Sequence, residues 1–147
     1  MLDFLININT QPISDLLAYD KYSVPEMPGA YILIANAGTE FTYPAGNSPV
    51  FYIGQGINLQ KRLNLRRQQI SQAKRRQPRR IYPPQFEYGA AFGSRFTYIL
   101  ATESQYPKSL EDQIMAMFAN RFHCLPAANG AGAWARMNQI IETAAWT

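Results

Sequence analysis

The sequence predicts an α+β domain built on a small, mainly antiparallel sheet of three strands flanked by helices. Two observations indicate the fold class. Short runs rich in β-branched and aromatic residues, bounded by turn formers, recur at 30–35, 50–54 and 92–101. Stretches with apolar residues three and four positions apart lie between and after them. A third observation, the composition, bounds the domain count: with 147 residues, 47% hydrophobic and 16% charged, the chain suits one domain with one core and does not suit disorder.

In chain order, residues 1–25 read as a lead-in with apolar Leu2, Phe4, Leu5, Ile6 and Ile8, followed by a short helix over 12–18 capped by Ser14. Pro28-Gly29 signals a turn, and the apolar run 30–35 after it reads as a buried strand. A Gly- and Pro-containing loop over 43–49 leads to a second strand at 50–54, so the two are expected to pair as an antiparallel hairpin. From Asn58 the spacing turns helical, with Leu59, Leu63 and Ile70 on one side, until Pro78 stops it. Residues 77–90, with Pro78, Pro83, Pro84 and Gly89, read as a loop before the third strand. Ser109 is the expected cap of a helix carrying Leu110, Ile114, Met117 and Phe118. Residues 126–132 then lead to a last helix over about 132–145, around Trp134, which either packs on the domain or forms a dimer contact.

Cys124 is the lone cysteine, so no internal disulfide can close, and no Cys/His pair has the spacing of a zinc site. Asp3 interrupts the first apolar stretch, no basic lead-in precedes it, and no run of about 18 apolar residues follows. A cytoplasmic protein is therefore expected, with no membrane partner.

The net charge of +4 says little by itself, but its distribution says more. No Asp or Glu falls between Gly54 and Phe86, while Lys61, Arg62, Arg66, Arg67, Lys74, Arg75, Arg76, Arg79 and Arg80 all do. So many uncompensated cations on one helix and its C-terminal extension repel one another, and a polyanion relieves that repulsion. Nucleic acid is the expected partner, held through phosphates that give affinity without sequence reading. Loss of Arg75 with Arg76 should weaken that binding and flatten its salt dependence. Tyr82, Phe86 and Tyr88 beside the run either stack on unpaired bases or simply pack.

Two short elements now line up: Gly29-Ala30-Tyr31 in the first strand and Tyr52-Ile53-Gly54 in the second. The pair resembles the motifs that name the GIY-YIG nucleases. The continuation Gln55-Gly56-Ile57-Asn58-Leu59-Gln60-Lys61-Arg62-Leu63 is similar to the same stretch in the nuclease domain of the bacterial excision-repair incision protein. Leu110-Glu111-Asp112-Gln113-Ile114 resembles the family's glutamate-bearing helix, and Pro126-Ala127-Ala128-Asn129 its closing Pro-x-x-Asn. Together these cover about 26–130 in the family's order. Three departures stand out. Ala30 replaces the usual isoleucine or valine, Gln55 replaces a lysine, so that one phosphate contact is either absent or supplied by Lys61, and the Glu111-to-Asn129 interval is longer than usual.

The resemblance implies a GIY-YIG-like fold and a site made of Tyr31, Tyr52, Arg62, Glu111 and Asn129, with Gly29 and Gly54 as structural positions. In it Tyr31 acts as, or positions, the general base for an attacking water, and Tyr52 orients the phosphate or the water. Arg62 neutralises the scissile phosphate, Glu111 holds the metal and Asn129 fixes the site by hydrogen bonding. A lone carboxylate completed by water and phosphate oxygens suits Mg²⁺ or Mn²⁺. A tyrosine of pKa about 10 is a poor base unless a cation lowers that value, for which Arg62 or the metal's water shell is the candidate. Gly54 is expected to let the backbone turn closely where the strand meets the basic segment.

Plainer roles stand beside these. Tyr31 and Tyr52 are core aromatics on that reading, Glu111 complements a helix dipole, and His123 ends a helix. The expected activity is a metal-dependent DNA endonuclease, in a phage or mobile-element, restriction, repair or toxin setting. The alternatives are a non-catalytic nucleic-acid-binding module of the same fold and an RNA-directed nuclease. Cutting both strands of a duplex would favour a homodimer.

Overall fold

The computed structural model describes residues 1–75 and 82–129. In order these form Ser14–Asp15 (β1), Gly29–Ile34 (β2), Phe41–Tyr43 (β3), Gly46–Ser48 (β4), Val50–Gly56 (β5), Leu59–Lys74 (α1), Pro84–Phe92 (α2), Arg95–Leu100 (β6) and Pro107–Phe122 (α3). Arg76, Arg79, Arg80 and the helix expected over 132–145 lie outside the described residues. The class is α+β: strands β1, β6, β2 and β5, in that order, make one antiparallel sheet, and β3 and β4 make a separate hairpin. No described helix is long and apolar enough to cross a membrane.

Alternation along β2 sorts the layers, because successive side chains of a strand point to opposite faces. Ala30, Ile32 and Ile34 join Leu110, Ile114, Met115 and Phe118 in one cluster, so α3 covers that face. Tyr31, Leu33 and Ala35 join Leu59, Leu63, Ile70 and Phe86 in the other, so α1 and α2 cover the second face. Every residue of β2 is buried, as befits a strand with a partner on each side and a helical layer on each face. Tyr31 lies opposite Gly54 on β5 and Tyr98 on β6, which places Tyr31, Gly54 and Tyr52 on the α1 side.

Several expectations need correction. The sheet has four strands rather than three, and the short helix expected over 12–18 is absent. There the chain runs beside β6 instead: Gln11 N–H donates to the Tyr98 carbonyl at 3.1 Å and Leu16 N–H to the Ser94 carbonyl at 2.8 Å. The open edge of β6 offers more backbone bonds than a seven-residue helix could make for itself. Asp15 Oδ1 accepts from Leu17 N–H at 2.9 Å, a local turn that competes with helix.

The expected loop over 43–49 contains the turn and second strand of the β3–β4 hairpin. Its Tyr43 hydroxyl donates to the Val50 carbonyl at 2.7 Å. The expected loop over 77–90 holds most of α2, because Pro84 stands in the first turn, where its missing N–H costs nothing. Ser109 sits inside α3 and does not cap it; Tyr106 is the cap residue and Pro107 opens the helix. His123 ends α3 in the left-handed conformation, φ 63°, and its N–H donates to the Ala119 carbonyl at 2.8 Å, the structural role expected of it.

Candidate functional site

Tyr31 is wholly buried in the middle of the sheet, yet its hydroxyl is not isolated: Arg66 Nε donates to it at 2.8 Å. The Arg66 guanidinium also donates to Gln69 Oε1 at 2.7 Å and lies 5.5 Å over the Phe86 ring. This arginine is pinned by a phenol, an amide and a ring face. Arg62, one turn earlier on α1, runs along Gly56; a Cβ added there would lie 3.0 Å from its own Cβ. The Tyr52 ring, half-buried, sits 6.1 Å from that of Tyr31.

Burial pushes the Tyr31 phenol well above its ordinary pKa, and the neighbouring Tyr52 adds to the rise. Arg66, by charge and hydrogen bond, and Arg62, by charge, pull the other way without winning. Arg62 thus lowers this pKa as expected, and Arg66 with it, but desolvation exceeds the two arginines' attraction.

The reason for Gly54 also differs from the expected one. Its backbone makes no unusual turn; a Cβ at this position would collide with the ring and hydroxyl of Tyr31. The glycine makes room for the phenol across the β2–β5 pair. Gly29 is as confined, since an added Cβ would strike the Ile99 carbonyl oxygen and come within 2.6 Å of Leu59 Cδ1.

Asn129 spans the outer edge of β5. Its Oδ1 accepts from Ile53 N–H at 3.2 Å and its Nδ2 donates to the Ile53 carbonyl at 3.0 Å. With Ala128 N–H donating to the Phe51 carbonyl at 2.9 Å, residues 128–129 close the strand edge on either side of Tyr52. This side chain fixes backbone, which is a positioning role.

Glu111 belongs to the opposite layer. It is buried, 8% exposed, in the first half of α3, next to Leu110 of the apolar cluster on that face. The helix that carries the arginines therefore lies on one face of the sheet, the face of Tyr31 and Tyr52, and the helix that carries Glu111 on the other. Among the described residues no three His, Cys, Asp or Glu side chains gather as a metal cluster. A metal held by Glu111 would take most of its shell from water and phosphate oxygens, a set that suits magnesium or manganese and not zinc.

The basic run divides into two groups. Lys61, Lys74 and Arg75 are exposed and open to a partner's phosphates. Arg66 and Arg67 are half-buried and engaged with the protein: Arg67 donates to the Tyr19 carbonyl at 3.1 Å and lies 5.6 Å from its ring. Both stand on or beside the buried stripe of α1, and their contacts with the protein hold them in place. Phe86 and Tyr88 pack rather than offer faces to bases. Phe86 is buried beneath Arg66, and Tyr88 lies between Phe41 and Phe92, 5.6 Å from each.

The contact of Arg66 with Tyr31 was not among the expectations from the sequence. A signal for it existed: Leu59, Leu63, Ile70 and Ala73 are the buried residues of α1, and position 66 completes their four-three-four-three spacing. Comparison with protein-family models, with curated proteins and with solved structures finds no match to this chain.

Proposed function

We propose that this chain is a phosphodiesterase acting on nucleic acid. More particularly, it is a divalent-metal-dependent DNA endonuclease of the GIY-YIG type. One observation carries the reading: the tyrosines of the two motifs lie side by side, 6.1 Å between rings, with the arginine-bearing helix against them. Arg66 satisfies the buried phenol of Tyr31, and it brings a guanidinium to the two tyrosines.

In the proposed reaction a water oxygen bonds to phosphorus as the bond from phosphorus to the leaving sugar oxygen breaks. The water's proton passes to a base, and Tyr31 fills that role only as phenolate, the form that Arg66 and Arg62 favour against burial. Arg62, half-buried at the start of α1, faces the added negative charge on the phosphate, and Tyr52 orients the phosphate or water. Mg²⁺ or Mn²⁺ held by Glu111 would supply further charge neutralisation and a more acidic water. A phosphate touching both Arg62 and Glu111 must sit around the rim of the sheet, since the two residues belong to opposite layers. Two copies of the chain would be needed to cut both strands at once.

A second reading, a binding module of the same fold that does not cut, is favoured by one feature. Tyr31 is wholly buried and its hydroxyl already accepts from Arg66. Supercoiled plasmid and single-stranded RNA, incubated with Mg²⁺, Mn²⁺ or EDTA beside Glu111→Ala, separate the readings. Metal-dependent nicking of plasmid that is lost in the variant is the expected outcome. Cutting of RNA alone would make the chain an RNA-directed nuclease. No cutting by either protein, with equal DNA binding, would leave the binding module.

A further inference from the structure

Between the end of β5 and the first turns of α1 lies an open depression of about 320 Å³, lined by Ile57, Asn58, Lys61, Arg62 and Leu65. Its apolar members are unusually bare: Ile57 is 82% exposed and Leu65 44%. A single exposed aliphatic residue needs no explanation. Two that share a concavity with two cations, one of them Arg62, do. Asn58 Oδ1 caps the helix by accepting from Lys61 N–H at 3.1 Å, which orients its amide beside the two cations.

We propose that this depression receives an unpaired nucleobase of the bound strand, its sugar edge and face against Ile57 and Leu65 and its phosphates on Lys61 and Arg62. The preferred substrate is then a frayed, forked or otherwise unstacked DNA rather than a perfect duplex. Apolar side chains that enter a base step are a known means of holding unstacked DNA, and they work where cations hold the flanking phosphates.

Charge decides the occupant. A second copy of this chain meeting the patch about a twofold axis would bring Lys61 and Arg62 against their own equivalents, and no acidic side chain lines the depression to compensate. A polyanion bearing apolar base faces matches both halves of the patch. The inference rests on the nucleic-acid reading above and adds the kind of strand that the site takes.

The test is fluorescence anisotropy in EDTA with a labelled duplex and with a forked DNA of the same nucleotide count. Ile57→Ser/Leu65→Ser and Lys61→Gln are compared with wild type. Wild type should bind the fork about tenfold more tightly, the scale of one buried aliphatic contact. The ratio of fork to duplex affinity should fall to near one in the double serine variant, whereas Lys61→Gln should weaken both DNAs and leave most of the ratio. Because both serines replace exposed side chains, the fold should tolerate them; the single Ile57→Ser serves if thermal melting shows the double variant unfolded.

An undiminished ratio in the serine variants, or no preference in wild type, overturns the proposal. So does a dimer in sedimentation that these serines dissolve, which would make the patch an interface between copies. A fork preference without any metal-dependent cutting would instead remove only the nuclease reading, and cutting without a fork preference only this one.

Discussion

The two faces of the sheet are built from one strand and do different work. Toward α3, β2 presents Ala30, Ile32 and Ile34 to a cluster of aliphatic and aromatic side chains, with Phe118 edge-on to Phe4 at 5.2 Å and to Tyr43 at 5.1 Å. Toward α1, the same strand presents Tyr31, whose hydroxyl is met by an arginine, whose ring needs a glycine across from it, and whose neighbour is a second tyrosine. Both faces are closed by apolar clusters; the α1 face adds a buried phenol met by a guanidinium, and the α3 face adds the buried carboxylate of Glu111.

The largest effect should come from the α3 face. Phe118→Ala removes a wholly buried ring and should cost about 3–5 kcal/mol in urea unfolding, with any cleavage by the folded fraction retained. Loss of cleavage at full folding would erase the division between the faces. Gly54→Ala is the corresponding change on the Tyr31 face: its Cβ must displace the phenol, which should cost about 1–3 kcal/mol and, on the proposed function, abolish cleavage. A variant as stable and active as wild type would show that Tyr31 need not lie where it does.

Asn129→Ala should cost about 1–2 kcal/mol, since it strips two hydrogen bonds from Ile53 at the strand edge. Amide hydrogen exchange should then quicken at Ile53 and much less at Ile32; equal exchange at both would mean the edge is not held by this side chain.

The smallest effect is a pH dependence that reports on Tyr31 itself. Its folded-state pKa lies above the ordinary 10.0, so its contribution to stability is fully present below about pH 10. Above that, the unfolded chain ionises first and stability falls until the folded phenol also ionises. Tyr43 is shifted the same way by burial, so Tyr31→Phe should flatten the alkaline fall in part. An unchanged fall would remove Tyr31 as a source.

Much of the fold was legible in the sequence because it rests on periodicity. The apolar runs became β2, β5 and β6, the Leu59, Leu63, Ile70 stripe became the buried side of α1, and the Ile114, Phe118 spacing became that of α3. What was misread lay where local signals carry two meanings. Pro83-Pro84 breaks one helix and can equally begin another, and Ser14-Asp15 can cap a helix or extend along a bare strand edge; only the partner surface chooses.

The site divides in the same way. By itself the sequence determined which chemistry-bearing residues exist and in what order, and that the cations are massed between Gly54 and Phe86 without an acid among them. The tertiary structure alone decided which arginine meets Tyr31, that Gly54 makes room for a ring and not for a turn, and that Asn129 bonds the backbone of Ile53. It also decided that Glu111 belongs to the opposite layer from Arg62. The reason is physical: which residue meets which depends on strand register and helix rotation, and these are set by the packing of all the layers together, not by any stretch of chain read alone.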